Sequence, residues 1–210
     1  MLNVLLVDDH EIVREGLKRV LSQALSEVSF FESGTGQGAL DAVRKEDIHL
    51  ALLDINLPDK DGLELLKEIK LLRPTLPVLI LSLYEERQYA LRALKGGAAG
   101  YLTKEMAGDS LVSAVQKVVR GGIYISPALA ERMGRDLIGQ GYELPHEALS
   151  DREFEVLRLL SKGKSLTEIS DILSLSDKTV STYRARMLQK LKLKTNAALI
   201  RYSLDHRLVE

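Results

Sequence analysis

Through the first 120 residues, short runs of consecutive apolar residues alternate with stretches in which apolar positions recur at helical spacing. Residues 2–7 read as a buried strand. Val13, Leu17, Val20 and Leu21 follow at i, i+4, i+7 and i+8, the stripe of an amphipathic helix. The alternation repeats four more times, with strands at 28–31, 50–55, 78–82 and 100–103 and helices near 36–45, 62–72, 85–95 and 108–120. The last of these carries Leu111, Val112, Val115, Val118 and Val119 on one face. Strands that are apolar on both faces need cover on both sides, and a helix after each strand supplies it. The pattern therefore predicts an α/β domain, a doubly wound, parallel five-stranded sheet of (βα)5 type.

The pattern breaks at residue 121. Residues 121–148 contain Pro127, Pro145 and five glycines and read as a linker, with a short helix at 128–137. Beyond residue 149 strand signals stop and four helical segments follow, at 151–161, 166–173, 177–191 and 196–207. Ser150 with Glu153 three residues later is a capping-box pattern, and Ser176 is a candidate N-cap for the third segment. Breaks at Gly163 and at 174–176 leave short connections, the arrangement of a helix-turn-helix. The chain thus divides into an α/β domain at 1–120, a linker at 121–148 and an all-α four-helix domain at 149–210.

Composition narrows the classes. With 45% hydrophobic and 28% charged residues the chain matches a globular protein rather than a disordered or fibrous one. It has no cysteine, which excludes disulfides, thiolate zinc sites and thiol nucleophiles and fits a reducing compartment. The four histidines, His10, His49, His146 and His206, are scattered, with none at the i, i+4 spacing of a helical metal site, so a histidine metal centre is not expected. The apolar start is too short for a signal peptide, and no run approaches the roughly 18 apolar residues of a membrane helix. A soluble, cytoplasmic protein without a membrane partner is expected. The net charge of −1 hides an asymmetry. Residues 1–144 carry 17 Lys and Arg against 21 Asp and Glu, whereas residues 145–210 carry 12 against 9.

Ligands of doubly wound sheets bind outside the carboxyl ends of the strands. Applied to this chain, that rule gathers Asp8 and Asp9 after the first strand, Asp54 after the third, Ser82 after the fourth and Lys104 after the fifth. Taken singly, each is an ordinary turn, cap or surface residue; five at one edge are not. Carboxylates this close repel one another unless a cation sits among them, and an oxygen donor set suits Mg2+. Lys104 supplies a positive charge and Ser82 a hydroxyl for phosphoryl oxygens. With no activated Ser, Cys or His available, Asp54 is the natural nucleophile, forming an aspartyl phosphate.

These residues resemble a known family. Asp8-Asp9 after VLLV, LLDINLPDKDG around Asp54, LILS ending in Ser82 and GAAGYLTKE containing Lys104 are similar to the flavodoxin-like receiver domain of two-component response regulators. The resemblance covers residues 1 to about 120. It implies that Asp54 is the phosphoacceptor, converted to 4-aspartylphosphate, and that Mg2+ is held by Asp9, Asp54, the backbone carbonyl of Asn56 and, through water, Asp8. It further implies that Ser82 and Lys104 contact the phosphoryl group, and that Tyr101 and Ser82 form a switch that shifts the surface of residues 83–96. Glu105 stands where many receivers have proline, which leaves the conformation of the Lys104-Glu105 peptide open. A phosphatase of the haloacid dehalogenase type also forms an aspartyl phosphate, but it resembles a D-x-D motif whose second acid is here Asn56.

Residues 149 to about 207 resemble the LuxR-type helix-turn-helix of the NarL/FixJ class of response regulators, with the motif running from about Thr167 to Arg186. Projecting residues 177–192 at about 100 degrees per residue places Val180, Tyr183, Met187, Leu188 and Leu191 on one side. Lys178, Ser181, Thr182, Ala185, Gln189 and Lys192 fall opposite, small, polar and basic as a major-groove face requires. With Thr179, Arg184 and Arg186 these form the expected DNA-binding set, Arg184 reaching a phosphate from the apolar side. Residues 176–194 carry six Lys or Arg against one Asp. The combined resemblance implies a DNA-binding transcriptional regulator rather than an enzyme. A sensor histidine kinase would phosphorylate Asp54, and phosphorylation would control homodimerisation and binding to double-stranded promoter DNA, with RNA polymerase a further partner. The last helix would be the dimer contact of the DNA-binding half. The rival reading is a DNA-binding regulator that works without phosphorylation.

Overall fold

In the computed structural model the described residues are 1–82, 86–105, 107–137, 144–173, 175–206 and 208–209. They form two compact units, Met1–Gly139 and Gln140–Glu210. Residues 83–85, where the sequence places the start of the fourth helix and of the switch surface, and Arg207, where it ends the last helix, lie outside the described residues.

The first unit holds strands β1 (Leu2–Val7), β2 (Val28–Ser33), β3 (Leu50–Asp54), β4 (Val78–Ser82) and β5 (Gly100–Thr103), all parallel and in the order β2-β1-β3-β4-β5. Helices α1 (Glu11–Ala24), α2 (Gly36–Lys45), α3 (Gly62–Leu72), α4 (Glu86–Lys95) and α5 (Ala107–Val119) follow the strands in turn. Every residue of LALLD in β3 and VLILS in β4 is buried, as apolar strands covered on both faces must be. On one face Val4, Leu6, Leu52, Leu79, Leu81 and Leu102 pack with Leu17 and Leu21 of α1 and Leu111, Val115 and Val118 of α5. Truncating a fully buried leucine of this set would cost about 2–5 kcal/mol. The strand order reverses at β1, so the carboxyl ends of β1 and β3 border the crevice where such sheets bind ligands.

The segment after α5 differs from the expected linker. Tyr124 bridges Gly100 in parallel, and its N–H donates to the Ala99 carbonyl at 2.8 Å. Glycine is required at position 100, because a Cβ there would fall 2.7 Å from the Tyr124 carbonyl oxygen. Helix α6 (Pro127–Leu137) follows; the Leu129 N–H donates to Ser126 Oγ at its start, and Leu129 is buried. The apolar alternation in IYIS thus adds to the edge of the sheet, and this part of the segment belongs to the first compact unit.

The second unit contains a short 3-10 turn (Pro145–Ala148) and helices α7 (Asp151–Ser161), α8 (Leu166–Leu173), α9 (Asp177–Lys190) and α10 (Asn196–Asp205). Ser150 and Glu153 form both bonds of the capping box, and Ser176 and Thr195 cap α9 and α10. Phe154, Val156, Leu157, Ile169, Val180, Met187 and Leu199 form its core. Helix α9 ends before the expected boundary. Lys192 adopts φ 55°, the left-handed region, while Leu193 N–H donates to Leu188 O at 2.8 Å and Lys192 N–H to Gln189 O at 3.1 Å. That pair of bonds is a Schellman stop, built around lysine where glycine is usual.

Candidate functional site

The turn after β3 is shaped by Gly62, whose N–H donates to the Ile55 carbonyl at 2.8 Å. A Cβ at Gly62 would lie 2.4 Å from the Asp54 carbonyl oxygen, so only glycine lets α3 start this close to the strand end. Asp61 caps α3, accepting from Leu63 N at 2.8 Å and Glu64 N at 3.3 Å. Asp59 reaches the other way and accepts from Gly36 N at 2.8 Å and Gln37 N at 3.0 Å, at the amino end of α2. The loop bearing Asn56 is therefore pinned at both ends. At β1, Arg14 donates through Nη1 to the Asp8 carbonyl at 2.7 Å and through Nε to Glu32 at 2.9 Å.

Lys104 enters from β5, where its backbone N–H donates to the Ser82 carbonyl at 2.7 Å. Its ammonium lies 2.8 Å from Asp54 Oδ2, a hydrogen bond, and 2.6 Å from Asp8 Oδ2, a close but poorly aligned charge contact. Asp8 and Asp54 are 2% and 3% exposed, and Asp54 Oδ1 is buried without a hydrogen-bond partner. Burial pushes the Asp54 carboxyl above the ordinary aspartate value. The bond and charge of Lys104 pull it down, Asp8 pushes it up again, and the Asn56 backbone N–H pulls down, leaving a net rise. Burial would lower the Lys104 ammonium, but its hydrogen bond to Asp54 and the close negative charges of Asp54 and Asp8 outweigh that and raise it. Two buried carboxylates sharing one ammonium, with an orphaned oxygen and Asp9 adjoining, are an environment that a divalent cation fits.

The fold thus brings Asp8, Asp54 and Lys104 into contact and places Ser82, fully buried, beside Lys104. Tyr101 is fully buried on β5, where its Cα pairs with Ile80. Asn56 bridges Asp61 across the turn. Asp9 is more open, with 38% of its side chain exposed, and meets a residue that the sequence reading sets aside. His10 Nδ1 lies 2.8 Å from Asp9 Oδ1 and 3.3 Å from Asp8 Oδ1. The only available signal was adjacency in DDH. Asp59 was missed as well, because its partners lie 22 and 23 residues away in sequence. The Lys104-Glu105 peptide is trans, like every other described peptide bond.

In the second unit, Lys178, Ser181, Thr182, Ala185, Arg186 and Gln189 are exposed along α9, with Val180 and Met187 buried opposite. Thr179 is half-buried, its hydroxyl 2.8 Å from Ser176 Oγ. Lys192 is exposed but lies past the end of the helix, so the projection to residue 192 fails at its last position. The six basic residues are not equivalent. Arg184 is half-buried and donates to Asn196 Oδ1 at 2.6 Å. Lys190 pairs at 2.6 Å with the buried carboxylate of Glu153. Across the turn, Asp177 accepts from Thr167 Oγ1 at 3.3 Å and from Ser170 Oγ, which fixes α8 against the start of α9.

A doubly wound sheet with this acidic pocket, followed by a helix-turn-helix unit, defines a response regulator. Residues 4–116 match the response regulator receiver domain and residues 147–203 the luxR family of bacterial regulatory proteins, and the chain belongs to the response regulator family of NarL/FixJ type. It is 34% identical over 209 residues to the response regulator UvrY of Escherichia coli K12, covering 99% of this chain and 96% of that one. It is 31% identical over 211 residues to the response regulator GacA of Pseudomonas aeruginosa, covering 100% and 99%. Among solved structures it is similar to RcsB of Salmonella enterica serovar Typhimurium bound to promoter P1flhDC in the presence of the phosphomimetic BeF3−. That likeness has 28% identity and a TM-score of 0.75, covering 96% of this chain and 97% of RcsB. Among the described residues no helix is long and apolar enough to cross a membrane.

Proposed function

We propose that this response regulator is a DNA-binding transcription regulator switched by phosphorylation of Asp54. The observation that carries the reading is the Lys104 ammonium held between the buried carboxylates of Asp54 and Asp8, beside an Asp54 oxygen that has no partner. A sensor histidine kinase donates the phosphoryl group: the P–N bond of its phosphohistidine breaks as an Asp54 oxygen forms the new P–O bond. Lys104 then exchanges a carboxylate oxygen for a phosphoryl oxygen, and the Ser82 hydroxyl meets another. Asp9, Asp54, the Asn56 carbonyl and, through water, Asp8 would hold Mg2+, which supplies charge neutralisation of the phosphoryl oxygens when bound. The Ser82 and Tyr101 pair relays occupancy of the pocket to the surface after β4. With no further acid to speed turnover, the aspartyl phosphate hydrolyses slowly, and the protein is a phosphoacceptor rather than an enzyme.

Residues 1–120 carry the receiver function and residues 149–210 the DNA-binding function. Lys178, Thr179, Ser181, Thr182, Arg184, Ala185, Arg186, Gln189 and Lys192 form the DNA-contacting set. Arg184 serves partly as a brace to Asn196, and Lys192 reaches DNA from beyond the helix end. A homodimer reads two half-sites of promoter DNA in the cytoplasm, with α10 as the dimer contact and RNA polymerase recruited there. RcsB bound to promoter DNA in the presence of a phosphomimetic is the comparison that supports this reading.

The test is incubation of the full chain with Mg2+ and acetyl phosphate, beside an Asp54→Asn control. A mass gain confined to the wild type, with tighter promoter binding, is expected. Equal mass gain in both proteins, or DNA affinity indifferent to a demonstrated modification, would overturn the reading.

A further inference from the structure

We infer that Arg14 is a positioning residue for the cation-binding acids, setting the backbone from which Asp8 and Asp9 face the pocket. The inference deepens the proposed reading of the pocket and rests on it. Strands β1 and β2 pair as far as Val7 and Ser33, and the Asp8 N–H donates to the Ser33 carbonyl at 3.1 Å as the last rung. By the rhythm of a parallel ladder, the Thr35 N–H would next donate to the Asp8 carbonyl. It donates instead to Ser33 Oγ at 3.2 Å, as the chain leaves β2 for α2. Arg14, in the first turn of α1, fills the place of that rung. Its Nη1 donates to the Asp8 carbonyl at 2.7 Å, its Nε is held by Glu32 of β2 at 2.9 Å, and 16% of the side chain is exposed.

The carbonyl that Arg14 holds belongs to the peptide joining Asp8 to Asp9. A peptide is planar, so a donor that fixes its oxygen restrains the Cα atoms on both sides and the directions in which their side chains leave. Asp8 has further restraints, since its Oδ1 accepts from the His10 N–H at 2.9 Å and its Oδ2 lies 2.6 Å from the Lys104 ammonium. Asp9, the proposed direct ligand, is more open, and the neighbour of its carboxylate is His10, whose own side chain is 62% exposed. The aim of Asp9 therefore depends on the backbone before it, which Arg14 pins. A guanidinium suits this double duty, because Nε and Nη1 are donors fixed in one plane. Lys18 shares the Glu32 carboxylate at 2.6 Å but does not extend to Asp8. The two cations of α1 thus separate aiming the acids from bracing the helix to β2.

The experiment compares the full chain with Arg14→Met, Arg14→Gln and Lys18→Met. Mg2+ is titrated against amide NMR shifts, whose dispersion also reports folding, and the rate of Asp54 phosphorylation by acetyl phosphate is followed across Mg2+ concentrations. Both Arg14 variants should raise the Mg2+ midpoint about tenfold in the two measurements. The phosphorylation rate at saturating Mg2+ should stay within about twofold of the wild type, the split expected when placement of the cation rather than the transfer itself is damaged. Lys18→Met should leave the midpoint within about twofold of the wild type. An unmoved midpoint in either folded Arg14 variant overturns the inference. An equal rise in Lys18→Met assigns the effect to the brace between α1 and β2 and overturns it too, as does failure of both Arg14 variants to fold. An Arg14-dependent Mg2+ titration in a protein that is never phosphorylated on Asp54 overturns the proposed switch and leaves the inference standing. Failure of the wild type to bind Mg2+ overturns both.

Discussion

Lys104 is joined to Asp54 by a hydrogen bond of 2.8 Å, and the same ammonium contacts Asp8 at 2.6 Å. Burial nevertheless wins at Asp54, whose pKa stands above the ordinary value. A carboxyl whose folded pKa is raised contributes stability that is fully present below its unfolded pKa and lost as pH rises through the folded value. Asp54→Asn is therefore expected to be more stable than the wild type at pH 7, by on the order of 1 kcal/mol, with the gap closing toward pH 4. Urea melts across that range check it; a gap that widens toward acid would contradict the sign.

Asp59 runs the opposite way. Burial pushes its carboxyl up, but the N–H groups of Gln37 and Gly36 outweigh that and hold it low. Its contribution is present above the unfolded pKa and lost as pH falls through the folded one. Because the side chain is exposed, Asp59→Ala should cost only about 0.5–1 kcal/mol. The Gly36 and Gln37 amides should exchange faster in that variant, and Mg2+ affinity should fall as the Asn56 loop loosens.

Among the basic residues of α9, two variants should separate binding from folding. Lys178→Ala should weaken DNA binding at all sequences and reduce the salt slope by about one. Lys190→Ala should leave that slope unchanged but cost roughly 1–2 kcal/mol of stability, since buried Glu153 loses its cation while keeping the Ser150 N–H. Fluorescence anisotropy at several salt concentrations, beside thermal melts, distinguishes them.

Lys192 occupies a left-handed conformation that glycine adopts without strain. Lys192→Gly is expected to stabilise the second unit by up to about 1 kcal/mol, read as a higher Tm. A simultaneous drop in promoter affinity would place the Lys192 ammonium on the DNA.

Much of the fold is written in local pattern. VLLV, LALLD and VLILS are apolar on both faces, so strand ends, and with them Asp8, Asp54 and Ser82, follow from where the apolar runs stop. The miss at β2, which continues through Glu32 and Ser33, occurred because an edge strand tolerates polar residues that a central strand does not. The end of α9 was hidden because Leu191 and Leu193 continue an apolar rhythm while the stop is made by backbone geometry at a lysine. The pairing of Tyr124 with Gly100 is a long-range contact that a single bridge cannot announce among glycines. At the pocket, residue types and strand order brought the acids and Lys104 to one edge, whereas the turn of His10 onto Asp9 and the reach of Asp59 to α2 depend on loop paths with no periodic signature.

The staple from Asp177 to Thr167 and Ser170 separates address from frame in the second unit. Helix α9 keeps its angle through that carboxylate and through Val180 and Met187 on its hidden side. Lys178, Ser181, Thr182 and Ala185 on the outer side bear none of that duty. With α9 reading the operator as proposed, a lineage could rewrite which operator the protein reads, one surface letter at a time, without passing through an unfolded ancestor.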